Sequence, residues 1–389
     1  MTTNTIKKKS VSISFLSYFK YLLLLMKPRV MSLVIFTCAV GLLTAPVSVS
    51  FLNSIIAIFF VTIGAGAAGA GGDIRFTAAK SQGAPSGGNI VVHGSSSSST
   101  GDYFIIEAKE DVIPGTIANL IVYISSDEGY SNTSIIPIQI GIPSETDPMG
   151  PDDYGYYIYD MGDTNYNLSP TFDWIEIDTQ YGGDGIDLNV SDSGNGNGAS
   201  NSTKAIELPF IFNFYGEPYD VISVSTNGWI ALGRTNLLSF RNYPIPGAGG
   251  PSPMIAAFWD DMKTSQGGDV FYKSFPDGCQ LDDCDYMVVE WSDMRTQVSN
   301  SDEDFQIILY NGTDTPTGDS EFKMQYKTFN NTSDGYYPEG GRPDHGAYAT
   351  IGIENKFGNK GLQYTFNNEY PPGATRLTNG SALFVTTES

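Results

Sequence analysis

Histidine and cysteine are scarce in this 389-residue sequence. Its two histidines are His93 and His345, and its three cysteines are Cys38, Cys279 and Cys284. With only two histidines and no second cysteine pair, the sequence argues against a structural zinc site. No Gly-x-Ser-x-Gly turn accompanies His345, so we expect this residue to be solvated rather than catalytic. Cys279 and Cys284 flank a turn-like insert, so a disulfide of an exported domain and a pair of free thiols both remain open.

Acidic residues are absent from the first 72 residues, which hold six of the 21 lysines and arginines. All 43 aspartates and glutamates therefore lie further along the chain, whose formal net charge is −22. Such an acidic surface repels nucleic acid and anionic lipid, and it favours divalent cations. We therefore expect no nucleic-acid partner.

Charge of either sign is absent from residues 30–72, where apolar and small residues follow one another. A helix that crosses a bilayer needs about 20 apolar residues, so the stretch predicts a hairpin of two membrane helices, at 30–45 and 51–69. The membrane is thus the expected partner of residues 30–69. A hairpin returns the following chain to the cytoplasm, because the basic flank before it stays there. A single span or a cleaved signal peptide would instead place that chain outside.

Three runs in the first 70 residues form a recognisable series. They are Tyr21 to Val34, which contains Lys27-Pro28-Arg29-Val30-Met31-Ser32, then Gly41 to Pro46, and then Ile63 to Ala70. In this order they resemble the N-terminus of heme o synthase (protoheme IX farnesyltransferase), a membrane prenyltransferase. The resemblance implies an Asn- and Asp-rich motif directly afterwards, whose carboxylates hold magnesium on the prenyl diphosphate.

The residues after Ala70 do not continue this resemblance. The chain reads Gly71-Gly72-Asp73-Ile74-Arg75, and no Asn-x-x-x-Asp-x-x-x-Asp pattern follows. The resemblance therefore implies shared ancestry of residues 1–72 without prenyl transfer. The boundary near Ala70 indicates a seam between two unrelated proteins in one reading frame.

Glycine, serine and alanine dominate residues 73–101, which we expect to form a linker. Strand-like runs follow at 103–106, 118–124 and 135–140. They predict a partial Ig-like β module at 102–145, which resembles the adhesive repeats of secreted bacterial proteins.

Short strand-like runs recur through residues 146–389 between turn clusters, a pattern typical of a β-sandwich. Apolar residues alternate from Ile206 to Phe214 and predict one buried strand face. Trp229 and Trp259 have apolar neighbours, so we expect them in the core. The predicted fold class is mainly β: a transmembrane helical hairpin, a small Ig-like module, and one large antiparallel sandwich of about ten or more strands.

Three segments of the sandwich region have the order and spacing of a known module. They are Ser223 to Ile230, Ile255 to Asp261, and Gly268 to Tyr272. Together they resemble the nidogen-type extracellular domain, within a block at 146–387 that is similar to modules of secreted or surface bacterial proteins. Such modules often follow a gingipain-like cysteine peptidase domain. The resemblance implies an extracellular recognition role.

Two groups of oxygen-bearing side chains are candidate calcium ligands. One group is Asp260, Asp261 and Asp269, and the other lies in a glycine-rich loop: Asp184, Asp187, Asp192, Asn195 and Asn197. Oxygen ligands suit this hard cation, although the loop lacks the closing glutamate of an EF-hand. The alternatives are that Asp260 caps a turn beside a solvated Asp261, and that the loop is acidic and flexible without a metal.

Residues for catalysis or ligand binding give weaker patterns. The carboxylates that could pair for glycoside hydrolysis are Glu290, Asp293, Asp302 and Glu303. Such pairs arise by chance in an acidic protein, so we assign no catalytic residue. Trp174, in Asp173-Trp174-Ile175-Glu176, is a candidate platform for a carbohydrate ligand.

These patterns favour a non-catalytic β-sandwich module for adhesion or recognition. We expect it to be extracellular or on the cell surface, anchored through residues 30–69, with calcium as its one candidate cofactor. Its expected partner is a protein or glycan ligand at the bacterial envelope. One alternative is a truncated protoheme IX farnesyltransferase fused to an unrelated tail, inactive because its Asp-rich motif is missing. Another is an accessory C-terminal region of a secreted peptidase.

Overall fold

The computed structural model describes residues 91–93, 105–108, 112–125, 131–195, 202–280, 283–334 and 347–389. The predicted membrane hairpin at 30–69 lies outside these residues, as do Asn197 and His345. Within them, there is no helix with the length and apolarity needed to cross a bilayer. The described chain is β-structure with one 3-10 turn at Thr179–Tyr181, so the prediction of a mainly β protein is confirmed.

The chain divides into two compact units. The first consists of Met1–Ala78, Val92–Ile106 and Ile121–Ser134, and the second of Ala79–Val91, Glu107–Leu120 and Ile135–Ser389. Two small sheets come first in the sequence: β1 (Val91–His93) pairs with β2 (Ile105–Glu107), and β3 (Ile117–Ser125) pairs with β4 (Ser131–Gln139). The partial Ig-like module at 102–145 stays a prediction.

Two antiparallel sheets form the sandwich in the second unit. One sheet has six strands, in the order β17 (Gly361–Thr365), β16 (Thr350–Glu354), β10 (Met254–Trp259), β9 (Trp229–Leu232), β8 (Glu217–Ser225) and β7 (Thr203–Phe214). The other has eight strands. Seven of them follow the order β5 (Tyr157–Asp160), β18 (Ser381–Thr386), β15 (Phe322–Phe329), β14 (Asp302–Tyr310), β13 (Tyr286–Thr296), β12 (Asp269–Phe275) and β6 (Ile186–Asp187), and β11 (Met262–Lys263) also pairs with β13.

Aromatic side chains join the two sheets in one core. Along β7, Phe210, Phe212 and Phe214 are buried while the residues between them are exposed or half-buried, as the alternation predicts. Phe258 of β10 stacks on Phe305 of β14, with ring centroids 5.5 Å apart. Burial of one such side chain contributes roughly 1.5–3 kcal/mol to the free energy of folding. This aromatic layer therefore holds the two sheets together.

Two tryptophans pack on the face of the six-stranded sheet that is turned away from the shared core. Trp229 and Trp259 are wholly buried there, in a cluster that includes Met254. Both indole nitrogens donate to the carbonyl of Ser239, at 3.2 and 2.6 Å. Each buried N–H thus has an acceptor, and the expectation that both residues are in the core is confirmed.

Candidate functional site

A strap of chain at residues 171–181 crosses the outer face of the eight-stranded sheet. Gln325 of β15 donates to the carbonyl of Asp173 and accepts from its amide, at 2.7 and 2.6 Å.

The next two strands hold the strap in the same way. Gln306 of β14 donates to the carbonyl of Ile175 at 3.4 Å, and Glu290 of β13 accepts from the amide of Ile177 at 3.0 Å. One polar side chain from each successive strand therefore holds the strap in register.

The strap ends in the 3-10 turn and brings two polar side chains to the edge of the sheet. Asp178 is fully buried, and its Oδ1 atom accepts from the amide of Gln180 at 2.7 Å, which caps the turn. Tyr181 donates its hydroxyl to Oδ2 of Asp293 at 2.7 Å. The turn is thereby tied to β13.

Three aspartates converge at this edge. One carboxylate oxygen from each of Asp293, Asp302 and Asp304 lies within 4.8 Å of the other two. Asp293 sits where the β13–β14 register shifts, and its φ of 50° is left-handed. Its amide donates to Asp304 Oδ1 at 2.7 Å, and Asp302 forms an ion pair with Arg295 at 3.4 Å. A β-bulge of this kind redirects a side chain. Here it turns Asp293 towards Asp302 and Asp304 of β14.

The electrostatics link further aspartates to these three. The hydrogen bond to Asp293, together with the charges of Asp304 and Asp178, raises the pKa of Tyr181 to about 12. Burial raises the pKa of Asp269, and the charges of Asp187, Asp178 and Asp293 raise it further. We define the acidic edge as these six aspartates: Asp178, Asp187, Asp269, Asp293, Asp302 and Asp304.

The acidic edge regroups the calcium ligands that the sequence suggested. Asp187 and Asp269 belong to different predicted groups, yet β6 pairs with β12 and the charge of Asp187 helps to raise the pKa of Asp269. The sequence pattern gave no reason to join them to Asp293, Asp302 and Asp304. The alternation of Asp302 and Asp304 along β14 is the one signal that could have found part of the cluster.

The other predicted ligands lie elsewhere. Asp261 accepts from the amide of Asn195 at 2.9 Å, and Asp192 accepts from the hydroxyl of Thr226 at 2.8 Å. Burial, with the charge of Asp192, raises the pKa of Asp261 to about 7. The expectation of a solvated Asp261 is wrong, because this side chain is 2% exposed. Its neighbour Asp260 accepts from the Asp261 amide at 2.7 Å and is also buried.

Asp184 forms an exposed ion pair with Lys273 of β12. The two predicted groups of calcium ligands stay predictions, and Asn197 of the second group lies outside the described residues. The carboxylate oxygens of Asp192 and Asp261 already accept backbone and hydroxyl donors.

Trp174 lies on the strap and is half-buried. Its ring stacks against Phe172 at 6.3 Å, and its indole nitrogen donates to Glu176 at 3.2 Å. The ammonium group of Lys327 lies 5.2 Å from the ring centroid and also pairs with Glu176 at 2.9 Å. One face of the ring is thus occupied by a cation, and its role as a carbohydrate platform stays a prediction.

The buried glutamates support loops rather than forming an open pair. Glu303 accepts from the Ser301 hydroxyl and from the amides of Asn330 and Asn331, at 2.6, 2.9 and 2.8 Å. Burial raises its pKa to about 7 and that of Glu290, under the strap, to about 9. Both side chains are fully buried, so each is engaged in holding neighbouring backbone.

Cys279 and Cys284 form a disulfide in the loop between β12 and β13, with their Cα atoms 5.2 Å apart. The alternative of two free thiols is therefore wrong for this structure. Disulfides persist in oxidising compartments, so the bond is consistent with an exported domain.

Comparison with known proteins finds two unrelated similarities. A family described as NIDO related matches residues 187–385, about half of the chain. Protoheme IX farnesyltransferase of Pelagibacter ubique is 56% identical over 70 residues, 18% of this chain and 23% of that protein. Protoheme IX farnesyltransferase 2 of Mesorhizobium japonicum is 61% identical over 46 residues, which are 12% of this chain and 15% of that protein. No solved structure matches.

The chain thus spans less than a quarter of the length of these curated relatives. The resemblances to heme o synthase and to the nidogen-type domain are confirmed, and one chain carries segments similar to two unrelated families. The NIDO-related match covers β7 to β17 and most of β18, and with them five of the six residues of the acidic edge and the whole six-stranded sheet. On the extent of this match, the chain belongs to the NIDO-related family.

Proposed function

We propose that this chain is a non-catalytic recognition module that acts outside the cell or on its surface, and that calcium binds at its acidic edge. The observation that carries the calcium proposal is the convergence of Asp293, Asp302 and Asp304 within 4.8 Å. The NIDO-related family and the disulfide support the extracellular setting.

Repulsion between the three carboxylates is the physical basis of the calcium proposal. Two like charges about 4 Å apart repel by roughly 1 to 4 kcal/mol between water and a protein surface. Arg295 offsets part of this at Asp302, but burial and the charges of Asp304 and Asp293 still leave the pKa of Asp302 raised. A divalent cation with oxygen ligands turns the same arrangement into an attractive one.

Calcium titration of the full-length protein in detergent tests this proposal. For a dissociation constant on the order of 10⁻⁴ M, usual for extracellular modules, about 10 mM calcium would add about 2.7 kcal/mol to the free energy of unfolding. The melting temperature should therefore rise by several degrees, and titration calorimetry should give a matching affinity.

Two isosteric variants make the calcium test specific. Asp293→Asn removes one charged ligand, and asparagine tolerates the left-handed φ at this position, so calcium should bind about tenfold or more weakly. Asp220→Asn removes the same charge from an exposed position of β8 and should change nothing. An unchanged melting temperature with calcium, or equal effects of both variants, would refute the site.

Recognition without catalysis is tested separately. The full-length protein should bind a member of a panel of surface glycans and proteins and should not hydrolyse a peptide or glycan panel. Hydrolysis at a rate that a point mutation abolishes would overturn the non-catalytic assignment.

The anchoring proposal places the chain in the membrane through residues 30–69, with the region from residue 146 outside. Residues 73–101 would then link the anchor to an Ig-like module at 102–145. In intact cells, a membrane-impermeant protease should digest the sandwich region. Protection until the membrane is permeabilised would place this region in the cytoplasm and reject the export proposal.

A second candidate function follows from the similarity to protoheme IX farnesyltransferases, 56% over 70 residues in the Pelagibacter protein. In this alternative the chain is a fragment of that enzyme fused to an unrelated module. We expect no prenyl transfer to heme, because the Asp-rich motif does not follow Ala70. Prenylated heme in an assay of the full-length protein would favour the enzyme, and sequencing reads that break near codon 70 would establish an artificial fusion.

A further inference from the structure

A pocket of about 460 Å³ opens where β15 ends and residues 368–379 pass beside it. Its volume falls within the range of about 300–1,000 Å³ that is usual for ligand sites. Its walls are rich in amide groups, from Asn330, Asn331, Asn368 and Asn379, and none of its described lining residues carries a carboxylate. We call it the amide pocket, and it lies outside the acidic edge.

Asn331 lines the pocket and holds a side-chain donor that is unpaired among the described residues. This residue is 4% exposed, and its Oδ1 atom accepts from the amide of Ala349 at 2.8 Å. Its Nδ2 atom is buried and has no hydrogen-bond partner among the described residues. A buried donor without a partner is costly, so a ligand that opened this wall and offered an oxygen to Nδ2 would gain that hydrogen bond.

Arg376 gives the pocket a positive charge in a strongly acidic protein. Its guanidinium carbon lies 5.2 Å from the centre of the Tyr370 ring, and it forms no ion pair with the described residues. Arginine recognises carboxylates through two parallel hydrogen bonds. A ligand with a carboxylate would therefore find its counter-charge here.

The remaining walls suit hydroxyl groups and a sugar ring. Asparagine side chains both donate and accept, as vicinal hydroxyls do. Asn379 already accepts from the Phe329 amide at 2.8 Å, which leaves its amino group as the donor. Phe329 and Tyr370 add aromatic surface to the lining, against which the apolar face of a sugar can pack.

The backbone of the pocket is fixed in advance. Glu303 holds the amides of Asn330 and Asn331, and Asn330 donates its Nδ2 atom to the carbonyl of Asp302 at 2.6 Å. Preorganised donors lose little entropy on binding. The wall formed by residues 330 and 331 is therefore held in place before a ligand binds.

We propose that the amide pocket binds an acidic sugar, a monosaccharide unit with a carboxylate and neighbouring hydroxyls, as found in a uronate polysaccharide. The proposal rests on the recognition function above and names its ligand class and site. An acidic peptide would also satisfy Arg376, but it offers few hydroxyls to the amide walls, so the sugar is the better fit.

Titration calorimetry of the full-length protein in detergent tests this assignment. The probes are short oligomers of glucuronate and of galacturonate, their carboxyl-reduced neutral forms, and polyglutamate, all in EDTA so that calcium plays no part. We expect at least one uronate oligomer to bind, and its neutral form to bind at least tenfold more weakly.

Two variants and a matched control locate the binding. Arg376→Gln should weaken uronate binding by about 10- to 100-fold, whereas Arg234→Gln, at an exposed arginine paired with Glu207, should change it less than twofold. Asn368→Asp adds a negative charge to the pocket at a left-handed position that aspartate tolerates. It should weaken uronate binding and leave neutral sugars unaffected. An unchanged melting temperature for each variant would show that the fold is intact.

The outcomes separate this proposal from the wider recognition function. Uronate binding that Arg376→Gln leaves unchanged, equal binding of the neutral form, or binding of polyglutamate alone would overturn the sugar assignment. If another glycan or a protein binds with no effect of either pocket variant, recognition stands and the pocket assignment falls. If no member of any panel binds, both fall.

Discussion

The acidic edge and the amide pocket lie next to each other and have opposite chemistry. Asp302 belongs to the first, and its carbonyl accepts the side chain of Asn330, which belongs to the second. The edge gathers acceptors with negative charge, whereas the pocket gathers donors and one arginine. One strand end of a single sandwich therefore supplies two different kinds of site.

The alternation of side chains along β14 explains how neighbouring residues serve opposite purposes. Asp302 and Asp304 point to the outer face of the sheet, and Glu303 between them points the other way. Glu303 uses its carboxylate to hold two amides of the pocket, so its charge does not reach the edge as a metal ligand. The face of the sheet to which each acidic side chain points, rather than the local composition, therefore decides its role.

Unfolding of the sandwich should abolish the acidic edge and the amide pocket at once, and this is the largest effect we expect. A Cβ atom at Gly228 would lie 1.9 Å from the carbonyl oxygen of Phe258, and its φ of 73° is left-handed. Gly228→Val should therefore cost about 4 kcal/mol or more. Gly312→Ala, where a Cβ meets nothing within 4 Å, should be nearly neutral. Denaturant unfolding followed by tryptophan fluorescence measures both, and similar midpoints for the two variants would contradict the packing described.

Acid should stabilise the sandwich, because buried carboxylates have raised pKa values. Those of Asp261 and Glu303 are both raised to about 7, chiefly by burial. A carboxyl whose folded pKa exceeds its unfolded value binds more protons when folded, so stability falls as pH rises from about 4 to 7. Lowering the pH from 7.5 to 5.5 should add about 2 kcal/mol to the free energy of unfolding for each of these two carboxyls, about 4 kcal/mol together.

A variant makes this pH prediction specific. Asp261→Asn keeps a side-chain oxygen for the Asn195 amide and removes one titrating group, so the pH slope should become shallower. Urea unfolding in calcium-free buffer gives the slopes. A stability that rises with pH over this window, in the native protein, would contradict the burial of these acids.

The disulfide should matter for stability and for neither ligand. Cys279→Ser with Cys284→Ser opens a short loop between β12 and β13, for which the chain-entropy account gives about 2 kcal/mol. Calcium and uronate affinities should stay within about twofold of the native values at a temperature where the variant is folded. A large loss of either affinity would tie this loop to the sites.

The sequence predicts the sandwich well because the patterns that indicate buried strands lie between near neighbours in the chain. Alternation marks the buried face of β7, and apolar neighbours mark Trp229 and Trp259 as core residues. The sites depend on distant parts of the chain. Asp293 joins the acidic edge through a bulge, and Asn331 and Asn368 line the pocket from left-handed loop positions. No periodicity in the sequence predicts a bulge or a contact between two loops that are distant in the chain.

Paired binding experiments test the central claim, that the sandwich carries two separate sites of opposite chemistry, most directly. Calcium and a uronate oligomer are each titrated into the full-length wild-type protein and into Asp293→Asn and Arg376→Gln. We predict that Asp293→Asn loses calcium affinity and keeps the sugar, and that Arg376→Gln loses the sugar and keeps calcium. Loss of both ligands in either variant, or of neither ligand in both, would contradict the account.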